Sequence, residues 1–383
     1  MIPYDLRSIA GNKWDVAIIG AGPAGSVAAA ILSSSGRRVL LIERSAWPRE
    51  KVCGGCLNAV AVGMLSDIGL GSTLAGAQRV DHVAWHVGQK SLRLSATGGA
   101  AVLRSEMDAA IVAEGVARGC TFLPGFSATL LPGEPAASHR MIQLRDARGT
   151  CVVAAGVVLS CDGIGGTTLA REPWAEWKII RGAWMGVSTT YDQWPDELDA
   201  GTIHMHIGHG GYVGLVRLSG GRVHLAAALD PAACRNAGGP ALLINEILGF
   251  CGRAVWPGAA GARFRGTGEL TRRRDRVGGH RVLSVGDACG YVEPFTGEGM
   301  AWAILGARQA VELLPAPDSD WPCHLADEWQ TCHSTAIIRR QLWCRRLRPM
   351  MHHPTLAAAG VALGRAAPVV SSFVARHVQG GVG

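Results

Sequence analysis

The sequence predicts an α/β chain: a parallel sheet wrapped by helices, a mainly antiparallel sheet inserted into it, and a helical C-terminus. Three observations predict it. Trp14–Ile19 and Val39–Ile42 are short apolar runs separated by a glycine turn, Gly20 to Gly25, and an Ala-rich stretch, Ser26 to Ser35, with helical spacing. That is a βαβ unit in about thirty residues, the minimum for a parallel pair. Between Trp184 and Leu229 the pattern changes to short alternating stretches with Gly and Pro turns, the mark of antiparallel strands. The parallel type then returns with Val282–Val285, a Gly286-Asp287 turn and a helical stretch from about Gly299 to Leu314.

In chain order, the first domain is therefore discontinuous, covering residues 1–80, 100–175 and 270–315. Within it Arg104 to Ala117 is a helix by pattern, and Cys151 to Ser160 is an apolar strand running into Cys161-Asp162-Gly163. The antiparallel sheet takes residues 81–99 and 176–269, and residues 316–383 form the C-terminal helical segment. No internal repeat or low-complexity tract interrupts this order.

A chain of 383 residues can bury one large core or two joined ones, and 48% apolar against 17% charged residues predicts a dry interior with room for an apolar pocket. The net charge is +7, with only four of the 37 basic residues being Lys. Arginines cluster at 272, 273, 274 and 276, and again at 339, 340, 345, 346 and 348. No aromatic-interleaved module accompanies either cluster, so a nucleic-acid partner is not expected. Solvated surface is the plain reading; the other is a dock for a carrier protein, a reductase, an anionic membrane or a cofactor phosphate. Eleven cysteines behind a start without a signal-like pattern argue against a disulfide framework and for the cytoplasm. The apolar stretch Leu356 to Ala375 is broken by Arg365 and Pro368, so it could lie on a membrane but not span it.

Gly20-Ala21-Gly22-Pro23-Ala24-Gly25 follows a strand and opens a helix, and Glu43 ends the next strand eighteen residues beyond Gly25. Glycines permit the tight turn and close backbone approach, free helix N–H groups receive a pyrophosphate, and the carboxylate accepts ribose hydroxyls. This fingerprint serves NAD and FAD alike. Asp162-Gly163, Gly286-Asp287-Ala288 and Pro294-Phe295-Thr296-Gly297-Glu298-Gly299-Met300 favour FAD. Asp287 could accept ribityl hydroxyls, and a helix beginning near Gly299 would aim its positive end at the flavin edge that becomes anionic on reduction.

The combination of GAGPAG, Glu43-Arg44, Asp162-Gly163 and GDACGYVEPFTGEGM resembles the FAD-dependent oxidoreductases of the p-hydroxybenzoate hydroxylase fold over roughly residues 14 to 315. Within that group KVCGGC and PFTGEGM are most similar to geranylgeranyl reductases. Gly210 to Val216 is similar to their Gly-Tyr-x-Trp-x-Phe-Pro substrate segment, with Gly214, Val216 and Arg217 in place of Trp, Phe and Pro. The resemblance implies that Cys53, Gly54 and Gly55 pass along the flavin ring. It implies also that Gly297, Glu298, Gly299 and Met300 form the ring loop, with Tyr212, Pro294 and Phe295 toward the substrate. Arg104, followed by Asp108, would neutralise the pyrophosphate or hold the ribityl chain; the plain alternative is an i,i+4 helix pair.

Lys51-Val52-Cys53-Gly54-Gly55-Cys56 is the sole CxxC in the chain, too few ligands for a structural zinc, and it lacks the thioredoxin-like setting of a dithiol centre. Cys53 is a candidate weak proton donor, with inert packing the alternative. On a strand His204 and His206 face one side, as a pocket-lining acid and substrate contact or as ordinary sheet histidines; no carboxylate or thiol lies near to make a metal site. The expected function is a flavoenzyme acting on a carbon–carbon bond of an apolar substrate. NAD(P)H or a partner reductase would be the external electron donor, since no second GxGxxG exists. The alternatives are a monooxygenase of the same fold, hydroxylating an aromatic or polyketide ring, and an electron-transfer or docking flavoprotein. Flavin-dependent halogenases carry a Trp-x-Trp-x-Ile-Pro segment that this chain lacks.

Overall fold

The computed structural model describes residues 6–134, 137–192, 194, 198–254, 261–293, 297–367, 369 and 371. Its first sheet runs Val282–Ser284, Thr150–Ser160, Lys13–Ile19, Val39–Glu43 and Thr121–Pro124 in parallel, with Ile18 opposite Leu41 on one side and Leu159 on the other. All of Val39–Glu43 is buried, as a parallel strand covered on both faces must be. The helix Pro23–Ser34 starts on proline and is buried almost all round, because the helices Arg104–Ala117 and Gly299–Glu312 flank it. Its Ala and Gly content suits that close contact. The βαβ unit, the helix from Arg104 and the returning strand at Val282 therefore stand where the sequence placed them.

The second sheet runs Arg265–Glu269, Met185–Tyr191, Val223–Leu229, Gly211–Arg217, Thr202–Gly208, Gln78–Val87, Lys90–Ala101 and Cys56–Leu57. Neighbours are antiparallel except Thr202–Gly208 beside Gln78–Val87, which run parallel. Cys56–Leu57, directly after the glycine pair of KVCGGC, is the outermost strand of this second sheet. The back of the sheet buries Val213 and Leu215 against Leu243 and Ile247 of the helix Pro240–Phe250. On the front, Trp85, Met205 and Tyr212 join one apolar cluster with Trp302 and with Ile337, Met351 and Val361 of the C-terminal helices.

Those C-terminal helices are Leu325–His333, Arg339–His352 and Pro354–Ala366, with a π-helical turn, Ser334–Ile338, linking the first two. Among the described residues no helix is long and apolar enough to cross a membrane. A small antiparallel sheet, Lys178–Ile179, Arg272–Arg273 and Gly290–Tyr291, completes the strand pairing.

Candidate functional site

One continuous cavity extends from the glycine turn to the front of the second sheet. At its inner end the backbone is packed too closely for side chains. A Cβ on Gly20, whose φ is +105°, would lie 2.4 Å from the Cys161 carbonyl oxygen, and one on Gly25 would lie 1.9 Å from the Gly20 carbonyl oxygen. The helix Pro23–Ser34 has no side-chain cap, so its first N–H groups are left for an anion. Glu43, at the end of its strand, accepts from the Ala21 N–H at 3.2 Å, the Ser45 N–H at 3.0 Å and Arg49 Nε at 2.8 Å. Burial works to raise its pKa, but Arg49 and these N–H donors hold the carboxyl below its ordinary value.

Four cations, Arg44, Arg49, Lys51 and Arg104, line the same end. Arg104 forms a double bond to Asp108, Nε to Oδ1 at 3.0 Å and Nη2 to Oδ2 at 2.8 Å, and Arg49 Nη1 reaches Asp108 Oδ2 at 3.1 Å. Both guanidinium groups stand beside Gly22, within 3.5 Å of where its Cβ would be. The expected i,i+4 pair of Arg104 and Asp108 exists, and it braces a cation aimed at the turn. Burial, then Arg49 and Arg104, lower the pKa of Lys51, with Asp287 opposing. Asp287 is pushed up to about 6 by burial, with Arg104 and Lys51 opposing. Arg49 and Lys51 were not singled out by sequence, because each is a lone charge whose neighbours come from distant segments.

Two further segments converge here, and arginines fix both. Asp162 accepts from Ser160 Oγ at 3.0 Å and from the Thr168 N–H at 3.0 Å, which folds its loop back on itself. Arg272 Nη1 donates to the Ile164 carbonyl at 2.9 Å, and Arg274 Nε donates to the Ala288 carbonyl at 2.9 Å while its guanidinium sits 3.8 Å over Trp177. The first arginine cluster is thus corrected in part: Arg274 is buried, and with Arg272 it staples the Asp162-Gly163 and Gly286–Ala288 turns, whereas Arg273 and Arg276 are exposed, as solvated surface. Gly297, Gly299 and Met300 line the cavity where the helix Gly299–Glu312 begins, also without a side-chain cap, and Glu298 is buried beside Cys344, with Cys344 Sγ 3.5 Å from its Oε2. Pro294 and Phe295, expected toward the substrate, lie outside the described residues.

Cys53 and Gly54 line the middle of the cavity. A Cβ on Gly54 would meet nothing within 4 Å, whereas Gly55, with φ +68°, would bring its Cβ to 2.8 Å from the Val102 carbonyl oxygen. Gly55 is therefore a backbone requirement in its own right. His224 Nε2 lies 2.7 Å from the Cys53 carbonyl and its Nδ1 lies 3.0 Å from Thr190 Oγ1. This fixes the loop on the second sheet, a role the isolated His224 did not advertise. Cys53 and Cys56 are free thiols, and burial pushes the Cys56 thiol far up.

The outer end is apolar: Val83, Trp85, Ile203, Met205, Gly214 and Ala228 face the cavity. His204 and His206 do not, since strand alternation turns them to the back, where they stack with His86 at ring separations of 5.4 and 4.7 Å. His86 Nε2 is 3.2 Å from His204 Nδ1, and Arg253 Nε donates to His206 Nε2 at 3.1 Å. Burial lowers His86 and His204 to about 4, with Arg253 adding to it, and lowers His206 well below its ordinary value too. His206 as a cavity acid and His204 as a substrate contact are therefore corrected. Tyr212 does face the cavity, with Tyr291 and the buried Glu293 beside it.

The match to known proteins agrees with this geometry. The model of the FAD binding domain family matches residues 13–317. A menaquinone reductase of Mycobacterium tuberculosis is 30% identical over 365 residues, covering 85% of this chain and 83% of that protein. Among solved structures, a flavoprotein/dehydrogenase from Cytophaga hutchinsonii superposes with a TM-score of 0.77 at 16% identity, over 96% of this chain and 93% of that one. A flavin-dependent brominase superposes at 0.80 with 17% identity, over 96% and 94%. These two structures share the fold of p-hydroxybenzoate hydroxylase-like flavoproteins expected for this chain.

Proposed function

Since the chain belongs to the FAD binding domain family and is an FAD-dependent oxidoreductase, we propose that its reaction is the two-electron reduction of a quinone or alkene carried on an apolar molecule. The residues at the inner end fit the coenzyme. The Gly20 to Gly25 turn with Arg49, Lys51 and Arg104 would hold the pyrophosphate, Glu43 the ribose and Asp287 the ribityl hydroxyls. The uncapped helix at Gly299 would face the ring. Bound FAD supplies hydride transfer at N5. NAD(P)H or a partner reductase would refill it with electrons.

The observation that carries the reading is the division of the cavity. Its inner end is cationic and polar, and its outer end is a dry surface of Val83, Trp85, Ile203, Met205 and Ala228. An apolar ligand held there would lie beside Cys53 and Gly54, which would face the coenzyme. The similarity to a menaquinone reductase supports an apolar quinone-bearing or isoprenoid substrate. The test is to reduce the FAD-loaded protein without oxygen and mix it with short-chain naphthoquinones and polyprenyl alkenes. Flavin absorbance should return anaerobically. Return that needs oxygen, with a hydroxylated product, would replace this reading by the monooxygenase one.

A further inference from the structure

Glu293 is 3% exposed, lies on the cavity wall and presents an Oε2 with no hydrogen-bond partner among the described residues. A buried carboxyl oxygen left without a donor costs stability, so its presence in a dry cavity calls for a reason. Its neighbours are polar groups drawn from separate elements. Tyr212 on the second sheet faces Glu293, and burial, with Glu293 and Tyr291 beside it, raises the Tyr212 phenol far above its ordinary value. Tyr291 precedes Glu293 by two residues, and Cys344, beside Glu298, approaches from the C-terminal helix. From that same helix His352 brings its Nε2 to 3.8 Å from Glu293 Oε2. His352 stacks flat on Trp184 at 3.5 Å, and Arg348 Nε lies 3.4 Å from its Nε2. His352 is itself partly exposed, so the line Tyr212, Glu293, His352 runs from the cavity to solvent, with Arg348 beside it.

We propose that Glu293 is the acid that delivers a proton to the substrate in this cavity, with Tyr212 orienting its carboxyl and His352 leading back to solvent. The inference rests on the reductive reading above. Reduction of a quinone or alkene adds a hydride to one atom and leaves an electron pair on another. That second atom must take up a proton. In a cavity whose outer end is lined by apolar groups such as Trp85 and Met205 bulk water is a poor source, whereas a Glu293 carboxylic acid can give its proton from Oε2, leaving a carboxylate that Tyr212 and His352 stabilise. The hydride comes from reduced flavin, which the external reductant has supplied with electrons. The carboxylate regains a proton by way of His352. Glu293, Tyr212 and the helix carrying His352 come from three parts of the chain, so no local motif announces the group.

The test uses FAD-loaded wild type, Glu293→Gln and Tyr212→Phe, each reduced without oxygen. Mixed with a short-chain naphthoquinone, Glu293→Gln should reoxidise about a hundredfold more slowly than wild type, and Tyr212→Phe about tenfold. With ferricyanide, which takes electrons and no proton, all three should reoxidise at equal rates. Wild type should also show a pH-dependent quinone rate that Glu293→Gln lacks. Binding of a non-reducible naphthoquinone analogue, followed by tryptophan fluorescence, should be unchanged by Glu293→Gln. Equal quinone rates in wild type and Glu293→Gln would overturn the role of Glu293 while leaving the reductive reading intact. A loss with ferricyanide as large as with quinone would reduce Glu293 to a structural part. Wild type inert toward every quinone and alkene would overturn both. Should Glu293→Gln fail to hold flavin, Tyr212→Phe decides the matter, since it keeps the ring and removes the orienting hydroxyl.

Discussion

The strand Thr202–Gly208 has two faces, and they do opposite things. Its front, with Ile203 and Met205, faces the cavity. Its back, with His204 and His206, is stacked on His86 and touched by Arg253. A residue step along the strand exchanges them. The polar face is packed against other histidines and the apolar face lines the cavity, the reverse of the ordinary assumption that histidines mark a site. The lesson is that a strand covered on both sides gives no exposed face against which to orient its pattern.

The largest expected effect comes from the front. Gly214, opposite Met205 across the strand pair, would place a Cβ 3.1 Å from Met205 Sδ, so a large side chain there must enter the cavity. Gly214→Phe should lower kcat/KM for the naphthoquinone about a hundredfold, the scale of loss when a substrate is displaced by an ångström or so. Flavin content should stay at the wild-type level, because Gly214 is on the second sheet and the glycine turn follows a strand of the first. Full activity in this variant would move the substrate away from the front of the sheet.

What could be read from the sequence follows the same logic. Gly20, Gly22, Glu43, Arg104, Asp162 and Asp287 belong to local patterns in which a strand, a turn and a helix start succeed one another, and they line one cavity, as those patterns imply. Arg49 meets Asp108 across 59 residues, Arg272 meets the Ile164 carbonyl across 108, and His224 meets the Cys53 carbonyl across 171. No periodicity encodes such contacts, since they depend on how two sheets and a distant helix dock. The C-terminal arginines show the same limit. Their helix reads as a basic surface, yet its other face, with Cys344 and Met351, closes the front of the sheet.

A smaller effect is expected from the back, and it concerns stability. His86 and His204 are held neutral down to about 4, and His206 is lowered too, with burial the first cause and mutual repulsion and Arg253 adding to it. An unfolded chain binds those protons near the ordinary value of 6.5, so the unfolded state holds more protons below it. The contribution is therefore fully present above pH about 6.5 and is lost as pH falls toward about 4. His333, also lowered to about 4, adds in the same direction. Urea unfolding at pH 7 and pH 5 should differ by roughly 1–2 kcal/mol per imidazole, after discounting for the partial exposure of the cluster. A stability that does not fall between these values would mean the imidazoles are hydrated.

The smallest effect is the sharpest test of the two faces. His206→Gln keeps an acceptor for Arg253 and removes one titrating ring, so it should leave the naphthoquinone rate and its pH profile within twofold of wild type. Its physical ground is that His206 is fully buried on the back, opposite Val213, with the strand itself between the ring and the cavity. The same variant should lose less stability than wild type between pH 7 and pH 5, because one fewer proton is taken up on unfolding. A separation of this kind, rate unchanged and acid sensitivity reduced, is what a structural histidine produces. A fall in rate with unchanged acid sensitivity would instead place His206 in the chemistry and turn the strand over.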